Sequence, residues 1–170
     1  GAFPHHLAAP AQFTADKRGW GLAFSHDGKL LACGTITGSI FLWDLAALEK
    51  RWHVSGKKVA ERDEYAQTIR SMRFSPDGSD IIYSQEGSLG VLDADTGKEK
   101  WRYNPEVSAN TQRQHQTCRG VTYWKDQSVA AAQACYERVY LPTSDAHLIA
   151  LDAKTGQVCE SFAEKGVLDL

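Results

Sequence analysis

Apolar residues in this chain fall in short runs that alternate with polar ones at a period of two. The runs are cut by Asp-Gly, Thr-Gly and Asp-Ala pairs. A period of two sends successive side chains to opposite faces of an extended strand, and the punctuating pairs are hairpin chemistry. The pattern predicts strands over 21–25, 30–34, 39–43 and 51–55, then 69–75, 80–84, 89–93 and 99–103, then 121–125, 138–142, 147–152 and 158–162. Helical periodicity is nearly absent; residues 45–50 allow one turn and no more.

The strands recur in sets of four. Phe24-Ser25-His26-Asp27-Gly28 returns as Phe74-Ser75-Pro76-Asp77-Gly78, 74 − 24 = 50 residues later. Asp44 returns as Asp93 and Trp52 as Trp101, each 49 residues on (93 − 44 and 101 − 52). Leu92-Asp93-Ala94-Asp95-Thr96-Gly97 returns as Leu151-Asp152-Ala153-Lys154-Thr155-Gly156, 151 − 92 = 59 residues later, and the extra length fits an insertion near 105–117. Four short strands per unit at a period near fifty residues are the signature of β-propeller blades. The expected fold is therefore all-β: a partial propeller of three four-stranded antiparallel blades near 20–56, 68–104 and 119–163, forming a single unit over 1–170. Each blade buries both faces against neighbours, and three fall short of the usual ring of about four to eight. The expectation is a ring completed by self-association, with a homodimer giving six blades.

Composition narrows the functions. A formal net charge of −2 offers no basic surface for nucleic acid. No apolar run is long enough to span a bilayer. The chain begins Gly1-Ala2, so its start does not report a compartment. His5 and His6 read as a solvated tail, since no ligand spacing supports a metal. Cys33, Cys118, Cys135 and Cys159 lack any C-x-x-C spacing, which disfavours zinc and leaves room for one disulfide in an oxidising compartment. No G-x-S-x-G elbow is present.

Two families are resembled. Residues 14–88, through Phe24-Ser25-His26-Asp27-Gly28 and Gly38-Ser39-Ile40-Phe41-Leu42-Trp43-Asp44, resemble WD repeats. The family's Gly-His before the first strand is replaced by Arg18-Gly19-Trp20, and its turn Asp by Thr37. Residues 89–170 resemble the membrane-type glucose dehydrogenases and related quinoproteins that use pyrroloquinoline quinone (PQQ). The carrying stretches are 92–105, Gln114-His115-Gln116-Thr117-Cys118-Arg119-Gly120, 138–159 and 162–170. Asp93, Thr96, Gly97, Lys98 and Trp101 match the quinoprotein tryptophan-docking pattern; Glu160 stands where the third unit would carry its Trp. Natural drift would give such a mixture, and recombination of two propeller families, natural or designed, accounts better for the abrupt change of style at 87–89; the sequence leaves both open.

The quinoprotein resemblance implies that His115 and Arg119 contact the cofactor, with Thr143 and Asp145 on the same rim. Arg is a planar bidentate donor suited to a quinone bearing carboxylates, and His exchanges protons near neutral pH. The resemblance also implies a disulfide between Cys135 and Cys159, with Cys33 and Cys118 free, and a periplasmic location if it is functional. Family members hold Ca²⁺ through hard oxygen ligands and use an Asp base from later blades; neither catalytic nor metal-binding residues are recognised here. Two readings follow. One is a propeller scaffold without a complete catalytic site. The other is a PQQ-dependent dehydrogenase oxidising a sugar or polyol.

Overall fold

The computed structural model describes residues 19–56, 68–85, 87–107 and 120–170. Twelve strands form three antiparallel sheets, and there is no helix among the described residues. The first sheet joins β1 (Gly19–Phe24), β2 (Leu30–Thr35), β3 (Ile40–Asp44) and β4 (Glu49–Val54) in chain order. The second joins β5 (Ile69–Phe74), β6 (Asp80–Gln85), β7 (Ser88–Asp93) and β8 (Glu99–Tyr103) in the same order. The third joins β9 (Thr122–Lys125), β10 (Glu137–Pro142), β11 (His147–Asp152) and β12 (Val167–Asp169). Each sheet is one meandering blade.

Turn chemistry sets the blade edges. Ser25 Oγ donates to Asp27 (2.7 Å) and accepts from Leu30 N–H (2.9 Å). Ser75 repeats this with Asp77 (2.6 Å) and Asp80 N–H (3.0 Å). Gly28 and Gly78 follow at φ 70° and 76°, a left-handed backbone that glycine adopts without steric cost.

Alternation decides what lies between blades. Ala32, Ile40 and Leu42 of the first blade and Ile69, Met72, Phe74, Ile81 and Tyr83 of the second form one apolar core. Residues one step out of phase in the second blade, Ile82, Leu89 and Val91, form another core with Val121, Val139, Leu141, Ile149 and Leu151 of the third. The middle blade is buried on both faces, as its near-continuous apolar strands require.

One strand departs from expectation. Residues 158–162 do not form the fourth strand of the third blade. Val158 bridges Leu151 and Cys159 N–H reaches Ala150 O (2.8 Å), but the chain then turns away. It returns at Gly166, whose carbonyl accepts from Ala150 N–H (3.0 Å), and the outer strand is Val167–Asp169. Cys159 is disulfide-bonded to Cys135, 5.7 Å away between Cα atoms, so the chain is tied down where the excursion leaves the sheet. Ala163, Lys165 and Gly166, all at positive φ, make its bends.

Candidate functional site

The inner strands β1, β5 and β9 all start at one rim of the blade array. His115 and Arg119, which directly precede β9, lie outside the described residues. Thr143 and Asp145 occupy the hairpin joining β10 to β11, at the same rim as the start of β9, since Thr122 pairs with Tyr140. The Thr143 hydroxyl donates to Asp145, whose carboxylate also lies 3.2 Å from His147 Nδ1. His147 N–H in turn donates to Thr143 Oγ1 (3.2 Å). The Thr143 hydrogen bond, followed by that of His147, holds the Asp145 carboxyl below its ordinary range despite some burial. The Thr143 hydroxyl proton is thus committed to Asp145, and the hairpin carries an ionised acceptor.

An anion would need a donor, and the rim offers one that sequence reading overlooked. Arg70, the second residue of β5, stacks its guanidinium 5.5 Å from the ring centre of Trp20, the second residue of β1. Its buried Nε finds no hydrogen-bond partner among the described residues. A planar cation on an aromatic face suits a planar ligand bearing carboxylates. The available signal was positional: both residues sit second in the innermost strand of their blade.

The opposite rim has a different character. A cleft of about 430 Å³ opens between β1, β5 and β9, lined by Phe24, His26, Arg73, Phe74, Pro76 and Tyr123. Beside the third blade, Asp152 accepts from Cys135 N–H (2.6 Å), and from the N–H of Lys154 (3.0 Å) and Thr155 (2.9 Å). Burial works against its charge, yet these bonds together hold its carboxyl below the ordinary range. Arg138 donates to Cys135 O (2.9 Å) and pairs with Asp126 (2.7 Å), and both side chains are almost wholly buried. Among the described residues, no three His, Cys, Asp or Glu side chains gather to hold a metal ion.

The joints between blades are built from the docking tryptophans. Trp52 on β4 donates its indole N–H to Ala94 O of the next blade (2.9 Å), and Gly97 lies under its ring. Trp101 on β8 does the same to Ala153 O (3.0 Å), with Gly156 beneath. A Cβ at Gly97 or Gly156 would come within 2.9 or 2.5 Å of the ring, so each joint requires a residue without one.

A family model described as the β-propeller domain of glucose/ethanol/alcohol dehydrogenases, labelled PQQ, matches residues 39–170. The chain belongs to that family. A second model, the WD domain or G-beta repeat, matches residues 12–44. The quinoprotein glucose dehydrogenase of Escherichia coli (strain K12) is 48% identical over 86 residues, covering 48% of this chain and 11% of the relative. That of Gluconobacter oxydans (strain 621H) is 29% identical over 135 residues, covering 75% of this chain and 17% of the relative. The chain thus spans a small part of these relatives' length. Among solved structures, BamB from Moraxella catarrhalis aligns with 86% of this chain and 38% of its own, at TM-score 0.58 and 20% identity. The RRP9 WD40 repeats align with 91% of this chain and 39% of their own, at TM-score 0.64 and 11% identity. At such identities the likeness establishes the propeller fold alone.

Proposed function

We propose that these three blades are a stretch of the wall of a quinoprotein dehydrogenase propeller. In this reading they present part of a quinone-facing rim and turn over no substrate by themselves. The observation that supports the reading most strongly is the family match over residues 39–170, which includes the second and third blades entire. When bound, PQQ would supply the two-electron acceptor for oxidation of a sugar or polyol. This chain's residues would bind and orient it. Arg119 would pair with one carboxylate, His115 would stand where a proton is exchanged, and Arg70 on Trp20 would offer a second cationic contact. Thr143 and Asp145 would border the site, the Asp145 carboxylate meeting a hydroxyl or a cation rather than the quinone's own carboxylates. Ca²⁺ and a general base would complete the chemistry from outside the residues named here.

In the same reading, blades beyond these three complete the funnel, a second copy in a homodimer ring being one source of them.

Titrating PQQ into the full chain while following its absorbance tests the rim. Arg119→Ala and Arg70→Ala are each expected to weaken binding by about tenfold, a loss typical of a charge-assisted bond. Equal affinity in wild type and Arg119→Ala would remove Arg119 from the site. Dye reduction by the wild type with PQQ, Ca²⁺ and glucose would overturn the proposed inactivity of the chain alone.

A further inference from the structure

The two joints differ at the foot of their inner strands. In the first, Ala23 of β1 packs against the apolar core shared with the second blade. The same place in the second blade, 73 − 23 = 50 residues on, is held by Arg73. Pairing sets the equivalence: Ala23 lies opposite Ala32 and Arg73 opposite Ile82, each one residue before the phenylalanine that ends its strand. A guanidinium does not enter an apolar joint as a methyl group does. Here β9 does not pack along β5 as β5 packs along β1, and the cleft of about 430 Å³ opens at this rim. Its walls come from neighbouring described blades.

Those walls supply two kinds of contact. Phe74, Pro76 and the Tyr123 ring give apolar surface, and the exposed His26 borders it. Ser75, Pro76 and Tyr123 also line a smaller cleft of about 210 Å³ that continues outward between the second and third blades. The smaller cleft carries three lysines, and each has a carboxylate. Lys100 pairs with Asp80 and with Asp93 (3.5 Å), and Lys125 and Lys154 both pair with Glu137 (3.2 and 3.6 Å). The hydroxyls are committed as well: Ser75 donates to Asp77 (2.6 Å), and Tyr123 donates to Glu137. Arg73 differs from all of these. Its side chain is exposed, and among the described residues it makes no hydrogen bond or ion pair.

We infer that this cleft is a second ligand site, on the rim opposite Trp20 and Arg70, that takes a small planar organic acid of the aryl carboxylate class. Arg73 meets the carboxylate with parallel N–H donors, and the ring of the acid lies against Tyr123, Phe74 and Pro76. The volume falls within the range of small-molecule sites, about 300 Å³ upward. An inorganic anion would meet the same cation but leave the apolar walls unused. The inference goes beyond the quinone-facing reading and does not rest on it.

Titrating benzoate into the full chain, read by the Tyr123 ring and His26 imidazole resonances, tests it. Saturable shifts at both residues are expected, and benzyl alcohol at the same concentrations should give none. Arg73→Ala and Arg73→Gln should each weaken benzoate binding by about tenfold or more. Because the side chain is exposed and unpaired, both variants should melt with the wild type. A wild type without saturable shifts would overturn the site. So would an unchanged affinity in the Arg73 variants, or a loss that follows Arg70→Ala instead. Inorganic phosphate that displaces benzoate as readily as a second aryl carboxylate does would overturn the ligand class. No quinone enters this titration, so its failure leaves the quinone-facing reading standing, and failure of the quinone titration leaves this site standing.

Discussion

The joint between the first and second blades and the joint between the second and third share a tryptophan but differ at the inner strands. In the first joint, Gly21 and Gly34 face each other across β1 and β2, and the second blade comes to them at close range. A Cβ on Gly34 would lie 2.4 Å from the Ile69 Cγ2, and one on Gly21 would lie 3.2 Å from the Ile69 carbonyl. β5 packs along β1 and β2, and Thr68 donates to Ile36 O (3.3 Å) across the joint. Fifty residues on, the same paired positions are Ser71 and Ser84, and β9 does not pack along β5 in this way. Side chains from β6 and β7, not inner-strand backbone, carry the second joint. The comparison teaches that the outer tryptophan sets how blades join, while two small residues set how closely their inner strands approach. The tryptophan and the receiving turn of each joint fall within residues 39–170, the stretch the quinoprotein family model matches. The docking pair needs only an indole, a carbonyl and a glycine.

The largest expected effect comes from removing the shared element. Trp52→Ala and Trp101→Ala should each cost about 3–5 kcal/mol, because each deletes a large packed ring and strands a carbonyl. Thermal or urea unfolding measures this; a loss at one joint only would show that the two are not equivalent. Reducing the Cys135–Cys159 disulfide should cost about 3 kcal/mol, the loop-closure value for a separation of 24 residues. That loss should leave the first joint intact, which hydrogen exchange on β1 and β5 would report.

The inner-strand difference gives a sharper pair. Gly34→Ala should destabilise by about 1–3 kcal/mol, since Ile69 must move to admit the methyl group. Ser84→Ala at the matching site should be neutral or mildly stabilising, because the buried Ser84 hydroxyl finds no partner among the described residues. If both substitutions cost the same, the glycine account of close approach is wrong.

The smallest effect is the share of the acid dependence that Asp152 contributes in the third blade. The Asp152 carboxyl is depressed in the folded state, so its contribution is present above its unfolded value, about 3.9, and is lost as pH falls through the lower folded value. Stability should therefore decline in acid below about pH 4, and Asp152→Asn should flatten part of that decline. Acid titration of the melting temperature in the two proteins checks the sign.

Much of this fold was legible from local signals. Eleven of the twelve strands fall on the predicted runs within a residue or two, because alternation and turn residues act over neighbouring positions. The fourth strand of the third blade was misplaced. Val158 and Phe162 satisfy the alternation, and only the link from Cys159 to Cys135, with the bends at Ala163 and Lys165, shows that the chain leaves the sheet there. The site was less legible. Thr143 and Asp145 were named as candidates from the sequence, but their hydrogen bond, which commits the Thr143 proton, has no signature in sequence. Trp20 and Arg70 lie 50 residues apart and meet only because the first two blades pack.

The sequence by itself determined the repeat, the strand content and the docking pairs, since period, turn chemistry and a recurring Trp-to-Gly spacing are written along the chain. It also held the family membership of residues 39–170. Tertiary structure alone decided how closely each pair of blades meets. That depends on where a Cβ points relative to a neighbour in the next blade, as Gly34 does toward Ile69. Gly34 and Ser84 differ by one small side chain. Whether such a difference matters depends on which surface faces it, and local sequence does not encode that.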